Sequence, residues 1–410
     1  MSIAEPIDPL LDGVELSDPE LYLRDTWHAT FRRLRAEDPV HYHPRSPYGP
    51  YWSITRYDDI SGVLIDHAHF SSDSALGGVL IGDQPPDREL PSFIRMDPPR
   101  HTEHRKTVAP IVGPGNLAKL EDTIVERTGH VLDSLPRSQT FDWVERVSVP
   151  LTTMMLATLF NFPWQDRHLL TYWSDVSVAL TRAPDSPVRS NAERRAVLEQ
   201  MADYFMALWR ERAAAPPAFD LISMMAHSPA TQNLTRTELI GTLALLIVGG
   251  NDTTRNTMSG GLLALSENPA EWAKLRDDPG LAEKAILEMI RWQSPVIHIR
   301  RTATADREIA GRRIAKDDKV VLWFISGNRD ETAIPDADRF IVDRDKPRRH
   351  LSFGAGIHRC VGDRLAEQQL RILWQEILAR DLRIEVMGPP VRLYSNFLRG
   401  IRSLPARIAA

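Results

Sequence analysis

Phe353-Gly-Ala-Gly-Ile-His-Arg-Cys360-Val-Gly362 holds the single cysteine of this 410-residue chain and decides how the rest is read. One sulfur closes no internal disulfide, and by itself it builds neither a zinc site nor an iron–sulfur cluster. A lone cysteine is by default a small buried hydrophobe. The neighbours of Cys360 point elsewhere. Three glycines, a histidine and an arginine surround it and a helical pattern follows, so the sulfur stands on a glycine-rich loop at a helix N-terminus, where a thiolate is readily held. A thiolate suits iron as an axial ligand. A nucleotide-binding reading of Gly354-x-Gly356 fails, because the sixth position of the Gly-x-Gly-x-x-Gly pattern is Arg359 and no βαβ unit surrounds it.

Working outward, residues 360–380 have the apolar spacing of a helix, with Leu365, Leu373 and Ile377 on its buried face. The stretch 115–294 is mostly helical. Within it, 237–267 is the longest helix and ends before Pro269, and 280–293 is another, stopped ahead of Pro295. Residues 60–70 read as a short helix. Strands are expected at 40–43, 51–55, 297–301, 308–314 and 319–324, with a turn at Gly311 and with His41 and His43 facing solvent. Residues 71–96, rich in Gly, Pro, Asp and Ser, read as a long irregular loop, of a length that usually carries function. The fold class is therefore mainly α with small β-sheets, β-rich near 38–58 and 296–324 and in the C-terminal tail, and read as a single domain over 1–410.

With 42% hydrophobic and 26% charged residues the composition is that of a soluble globular protein. The formal net charge of −5 argues against nucleic acid as the main partner. No apolar run approaches the roughly 20 residues of a membrane span. Residues 1–12 carry acids and prolines, unlike a signal peptide or an anchor. A single cysteine fits a reducing, cytoplasmic setting.

A second motif interrupts the longest helix: Gly249-Gly-Asn-Asp252-Thr253-Thr254. Acid and alcohol side chains compete for backbone hydrogen bonds in mid-helix, and each glycine costs about 1 kcal/mol against alanine. A helix that accepts both is making room for something. Glu288 and Arg291 stand one turn apart and can pair. In Asp97-Pro-Pro-Arg-His101-x-x-x-Arg105, His101 and Arg105 share one helix face. His101 and His104 could instead form a metal pair, but no further ligands cluster in the sequence.

Together these motifs resemble the cytochrome P-450 monooxygenases. The Cys360 loop is similar to that family's haem signature, Phe-Gly-x-Gly-x-His-Arg-Cys-x-Gly, at every fixed position. The resemblance implies a cytochrome P-450 fold, with haem b between a long distal helix and a proximal Cys loop and helix. It implies Cys360 as the axial iron ligand, with Phe353, Gly354, His358 and Gly362 around it. Gly354 and Gly356 would let the backbone pass close under the macrocycle, where a Cβ would clash. His101, Arg105, Arg301 and His358 would face the propionates. Asp252 would deliver protons and Thr253 would be the alcohol of the dioxygen site, with Gly249 and Gly250 giving space. Arg344 would join Glu288 and Arg291 in a structural triad. Leu245, Val248 and Gly249, one turn before Asp252, would face an apolar substrate. So would Ile297 and Ile299, which by alternation share a face with Arg301. The loop 71–96 and residues 394–398 around Phe397 would close the pocket. For each apolar residue, plain core packing is an equal reading.

The run 246–256 and the helix after His350-Leu-Ser-Phe-Gly are most similar to bacterial hydroxylases that attack the terminal methyl of alkanes and medium-chain fatty acids. Ala355 and Asp363 depart from that subgroup, on the side of the redox partner. Arg95, Arg182 and Arg189 lie in segments that could reach an acyl head group at the pocket mouth. Electrons would come from a ferredoxin and its NAD(P)H-dependent reductase, docking on Lys106, Arg348, Arg349, Arg359 and Arg364. Two other readings stay open: the same chemistry on a terpene or sterol side chain, and a haem sensor or carrier. The Asp252–Thr253 pair speaks against the carrier, which needs no proton relay.

Overall fold

The computed structural model describes residues 15–83 and 89–409. The acidic start 1–12 lies outside them, as does part of the 71–96 loop. The longest helix, Arg236–Glu267, begins where Thr235 and Glu238 cap each other. Thr235 Oγ1 accepts from the Glu238 N–H at 3.3 Å, and the Glu238 carboxylate accepts from the Thr235 N–H at 2.9 Å. This reciprocal cap satisfies backbone donors that a first turn leaves open. The helix ends at Asn268, and Pro269, which cannot continue it, starts the helix Pro269–Asp277. Helices Val149–Leu159, His168–Val178 and Ala282–Gln293 pack around it. Two buried bonds fix its rotation: Thr152 Oγ1 donates to Asn251 Oδ1 at 2.7 Å, and Ser148 and Ser259 share a hydroxyl bond of 2.9 Å.

The main sheet has five strands in the order Val40–His43, Tyr51–Ile54, Lys319–Leu322, Ile299–Ala303, Phe70–Ser71. The second and third run parallel and the other neighbours antiparallel. Smaller sheets come from Thr140–Asp142, Ile384–Val386 and Pro405–Ile408, and from Val391–Arg392 with Ile401–Ser403. Three local expectations are corrected. Residues 308–314 form not one strand but a hairpin, Arg307–Ile309 against Arg312–Ile314, turning at Ala310 and Gly311, both with positive φ. The helix expected at 60–70 is Tyr57–Ile65, and Phe70–Ser71 joins the sheet edge. His41 and His43 are buried, because partners sit beside them. Asp38 meets His41 Nδ1 at 2.8 Å, and Ser53 Oγ meets His43 Nε2 at 2.9 Å.

The charged triad anchors the polypeptide that leads to Cys360. Arg291 reaches both Glu288 oxygens at 2.7 and 2.6 Å, and Arg344 reaches them at 2.9 and 3.1 Å. Burial works against the Glu288 charge, but Arg291 and then Arg344 hold its carboxyl below the usual range. Arg291 also donates to the carbonyls of Asn328 and Ala337 at 2.7 and 2.8 Å. Asn328 Oδ1 in turn accepts from the Leu351 N–H at 2.6 Å, and its amide donates to Ser352 Oγ at 2.9 Å. A buried ion cluster thus fixes the chain two residues before the glycine loop.

Candidate active site

Gly354 and Gly356 both take left-handed backbone, φ 67° and 66°. The loop closes on itself through the Cys360 N–H, which donates to the Phe353 carbonyl at 2.8 Å, and the helix Asp363–Ala379 follows. The two glycines serve different ends. A Cβ on Gly356 would stand 2.4 Å from the Leu64 carbonyl of helix Tyr57–Ile65, whereas one on Gly354 would meet nothing within 4 Å among the described residues. Only Gly354 therefore answers to the expectation of open space beside the loop. The Cys360 thiol is exposed to a cavity of about 870 Å³. Burial pushes the thiol up to about 11, against the pull of the Gly362 N–H, Arg105 and Arg359, so the loop by itself does not hold the thiolate expected of it.

Basic side chains gather beside the thiol. Arg105, Arg301 and His358 line the cavity, and His101 stands behind His358 with ring centroids 4.3 Å apart. Their polar atoms are short of partners: among the described residues, both ring nitrogens of His101, Nδ1 of His358 and one Nη of Arg301 are buried and unbonded. Burial, with Arg301 and His101 adding repulsion, pushes His358 down to about 2, and burial with Arg105 pushes His101 down to about 4. Burial alone brings Arg301 to about 10, partly offset by Asp97. Such groups are costly unless an anion joins them. His104 finds no third ligand; among the described residues no cluster of His, Cys, Asp and Glu could hold a metal ion.

Across the cavity lies the long helix. Leu245, Val248, Gly249 and Thr253 line the wall. Among the described residues nothing lies within 4 Å of a Cβ built on Gly249, while one on Gly250 would stand 2.6 Å from Leu156 Cδ2. Gly249 thus opens the cavity and Gly250 serves helix packing. Thr253 Oγ1 donates its only hydrogen to the Gly249 carbonyl at 2.8 Å, so it turns acceptor lone pairs toward the cavity. Asp252 is turned away, fully buried, and pairs with Arg255. Ser174 Oγ donates to Asp252 at 2.9 Å, and Arg255 also binds the half-exposed Asp175 at 3.0 Å. Burial raises the Asp252 carboxyl above its usual range against the pull of Arg255. Asp252 is thus linked through Arg255 to Asp175 at the surface.

Ile299 and Phe397 line the cavity, but Ile297 does not. It packs in a core cluster with Trp323, Tyr51 and Leu16. The strand begins only at Ile299. The Ile297 N–H donates to the Phe397 carbonyl at 2.9 Å and its carbonyl accepts from Ile325 at 3.2 Å, so alternation from Arg301 stops short of it. Val296 and His298 reach the cavity instead. The loop 71–96 contributes Val79, Leu80, Phe93 and Ile94 among others. Sequence reading missed Arg255 and Ser174. Arg255 was within reach, three residues after Asp252 on one helix face; Ser174 sits on another helix and carries no local signal. Of the basic residues near the thiol, Arg348 is paired with Glu367 at 2.8 Å and Arg359 with Asp363 at 2.9 Å. Arg364 and Lys106 are exposed and, among the described residues, without an ion pair.

Buried nitrogens without partners beside Arg105 and Arg301 call for an anion, open space over Gly354 admits a flat body, and a thiol faces that space. These residues fit a haem with its two propionates, and on the opposite wall stands an alcohol backed by a buried, ion-paired acid. The family model of cytochrome P450 matches residues 47–279 and 280–389, and the chain belongs to the cytochrome P450 family: it is a monooxygenase with haem b as cofactor. It is 46% identical to the solved structure of cytochrome P450-153 from Novosphingobium aromaticivorans, with a TM-score of 0.90 over 96% of this chain and 98% of that one. It is 37% identical to linalool 8-monooxygenase of Pseudomonas putida, covering 96% of this chain and 98% of the relative. It is 31% identical to a methyl-branched lipid omega-hydroxylase of Mycobacterium tuberculosis, covering 96% and 95%. Among the described residues no helix is long and apolar enough to cross a membrane.

Proposed function

We propose that this monooxygenase hydroxylates the terminal carbon of a medium-chain alkane or fatty acid. The observation that supports the reading is the lining of the cavity that Thr253 faces: Ala244, Leu245, Val248, Ile299 and Phe397 are apolar, and Gly249 leaves open space on the same helix as Thr253. A terminal C–H bond is stronger than its neighbours, so only orientation by shape makes it the one attacked. The motif resemblance to terminal hydroxylases and the omega-hydroxylase name of one relative support the same reading.

Cys360 would bind the haem iron, and Arg105, Arg301, His358 and, behind them, His101 would hold the propionates. Haem bound through a thiolate supplies reductive dioxygen activation, in which one oxygen atom enters a C–H bond and the other leaves as water, consuming two electrons and two protons. Asp252 would carry protons inward from the Asp175–Arg255 surface pair, and Thr253 would accept a hydrogen bond from water in the cavity. Apolar side chains keep other water away from the reacting carbon. Electrons would arrive from a ferredoxin docked near Cys360, where Lys106 and Arg364 offer unpaired charge. Dodecane, dodecanoic acid and linalool test the substrate. Terminal alcohols from the linear chains support the proposal. Turnover of linalool alone, the reading its relative favours, rejects it. For the ligand, the ferrous–CO Soret band should lose its thiolate red shift in Cys360→Ala; a wild-type protein without that shift rejects Cys360.

A further inference from the structure

Five arginines line the cavity, and four are bonded. Arg105 donates to the Arg359 carbonyl at 2.5 Å, Arg301 to the Arg300 carbonyl at 2.8 Å, Arg194 to the Val176 carbonyl at 3.2 Å, and Arg195 pairs with Glu199 at 2.6 Å. Arg95 is the exception: among the described residues nothing is hydrogen-bonded or ion-paired to its guanidinium. Its backbone is nonetheless pinned, the N–H donating to the Ser92 carbonyl at 2.7 Å and the carbonyl accepting from Ser74 Oγ at 3.3 Å. Its aliphatic stem lies against Gly78, where a Cβ would meet Arg95 Cδ at 3.5 Å. A fixed stem therefore presents a free forked cation to a largely apolar cavity.

We infer that Arg95 is the head-group anchor of this cavity, its guanidinium holding the carboxylate of a linear acyl chain whose far end reaches Thr253. This rests on the reading of the cavity as a slot for linear chains. A guanidinium matches a planar carboxylate with two parallel hydrogen bonds, which an alkane or an ester cannot return. Arg95 packs against Gly78 on the 71–96 loop, whereas Arg105 is bonded to the thiol loop at the Arg359 carbonyl. The anchor makes the enzyme select chains with an anionic head over alkanes.

The test is a haem-absorbance titration of holoenzyme, wild type, Arg95→Gln and Arg95→Lys, with dodecanoate, methyl dodecanoate and dodecane. Arg95→Gln should weaken dodecanoate by about tenfold or more and leave the other two within about twofold, with Arg95→Lys between. The dodecane value doubles as a check on folding. Equal weakening of all three ligands, or loss of haem, makes Arg95 a structural or propionate contact and overturns the anchor. Unchanged dodecanoate binding in Arg95→Gln overturns it too. A wild type that binds dodecane but not dodecanoate rejects the anchor and spares the linear-chain reading; binding of neither rejects both. Head-group selection with mid-chain products keeps the anchor and rejects terminal attack.

Discussion

Gly356 is pressed against the Leu64 carbonyl, so closely that a Cβ would stand 2.4 Å from that oxygen. The helix Tyr57–Ile65 thus sets the height of the loop that carries Cys360. Gly356→Ala must move a backbone carbonyl and take φ 66° with a side chain. It should cost roughly 3 kcal/mol or more in urea unfolding. Gly354→Ala pays only for its backbone angle, about 1 kcal/mol, but puts a methyl group into open space beside the thiol. Its defect should appear as faster haem loss to apomyoglobin. Equal stability losses in the two variants would contradict this division.

Glu288 is shared by two buried guanidinium groups, and removing its charge strands both. Glu288→Gln should destabilise the protein by about 3–5 kcal/mol, the usual result of breaking a buried pair from one side. Because Arg291 also holds the Asn328 carbonyl, the damage should spread to the loop and lower the haem content of purified protein. Calorimetry and the haem-to-protein absorbance ratio measure the two effects. A variant with an unchanged melting temperature would show that the triad does not anchor this segment.

Much of this was legible because it was written in local spacing. The glycine loop, the Glu288–Arg291 pair and the long helix with its Asp252–Thr253 step depend on residues a few positions apart. The sequence could not tell Gly249 from Gly250, since the difference is Leu156 on a helix about ninety residues earlier, or Gly354 from Gly356, since the difference is Leu64. Ile297 was misplaced because alternation was extended past the start of a strand, where pairing with Phe397 and Ile325 breaks it. His41 and His43 look like exposed strand residues until Asp38 and Ser53 are seen beside them. Periodicity reports one element's faces; what covers each face comes from distant chain.

Thr253 and Arg255 flank the same acid with different tasks. Thr253→Ala removes the acceptor facing the cavity but touches neither the thiol loop nor the apolar wall. Haem and substrate binding should persist while product per NAD(P)H falls several-fold, with the remainder appearing as hydrogen peroxide. Arg255→Gln leaves Asp252 buried without its cation, so its carboxyl should rise further. Arg255 acts by positioning, and its signature is a pH profile: slower turnover with the rate–pH curve moved upward. Unchanged coupling in Thr253→Ala would remove it from the relay, and an unchanged pH profile in Arg255→Gln would make the ion pair merely structural.

His350 gives the fold a slope against acid. Burial, then Arg359, Arg291 and Arg348, push its ring down to about 3, and its Nδ1 is buried without a partner among the described residues. An unfolded chain binds this proton near pH 6.5. Between pH 6.5 and about 3 the unfolded state therefore carries a proton that the folded state refuses. The stability is complete above pH 6.5 and lost as pH falls, by about 1.4 kcal/mol per pH unit, or about 2 kcal/mol at pH 5. His298, brought to about 4 by burial, adds a similar slope down to that value. Urea unfolding of wild type and His350→Asn at pH 7 and pH 5 measures the share. The variant should lose about 2 kcal/mol less between the two conditions. An identical loss in both proteins would mean that His350 takes up its proton without unfolding.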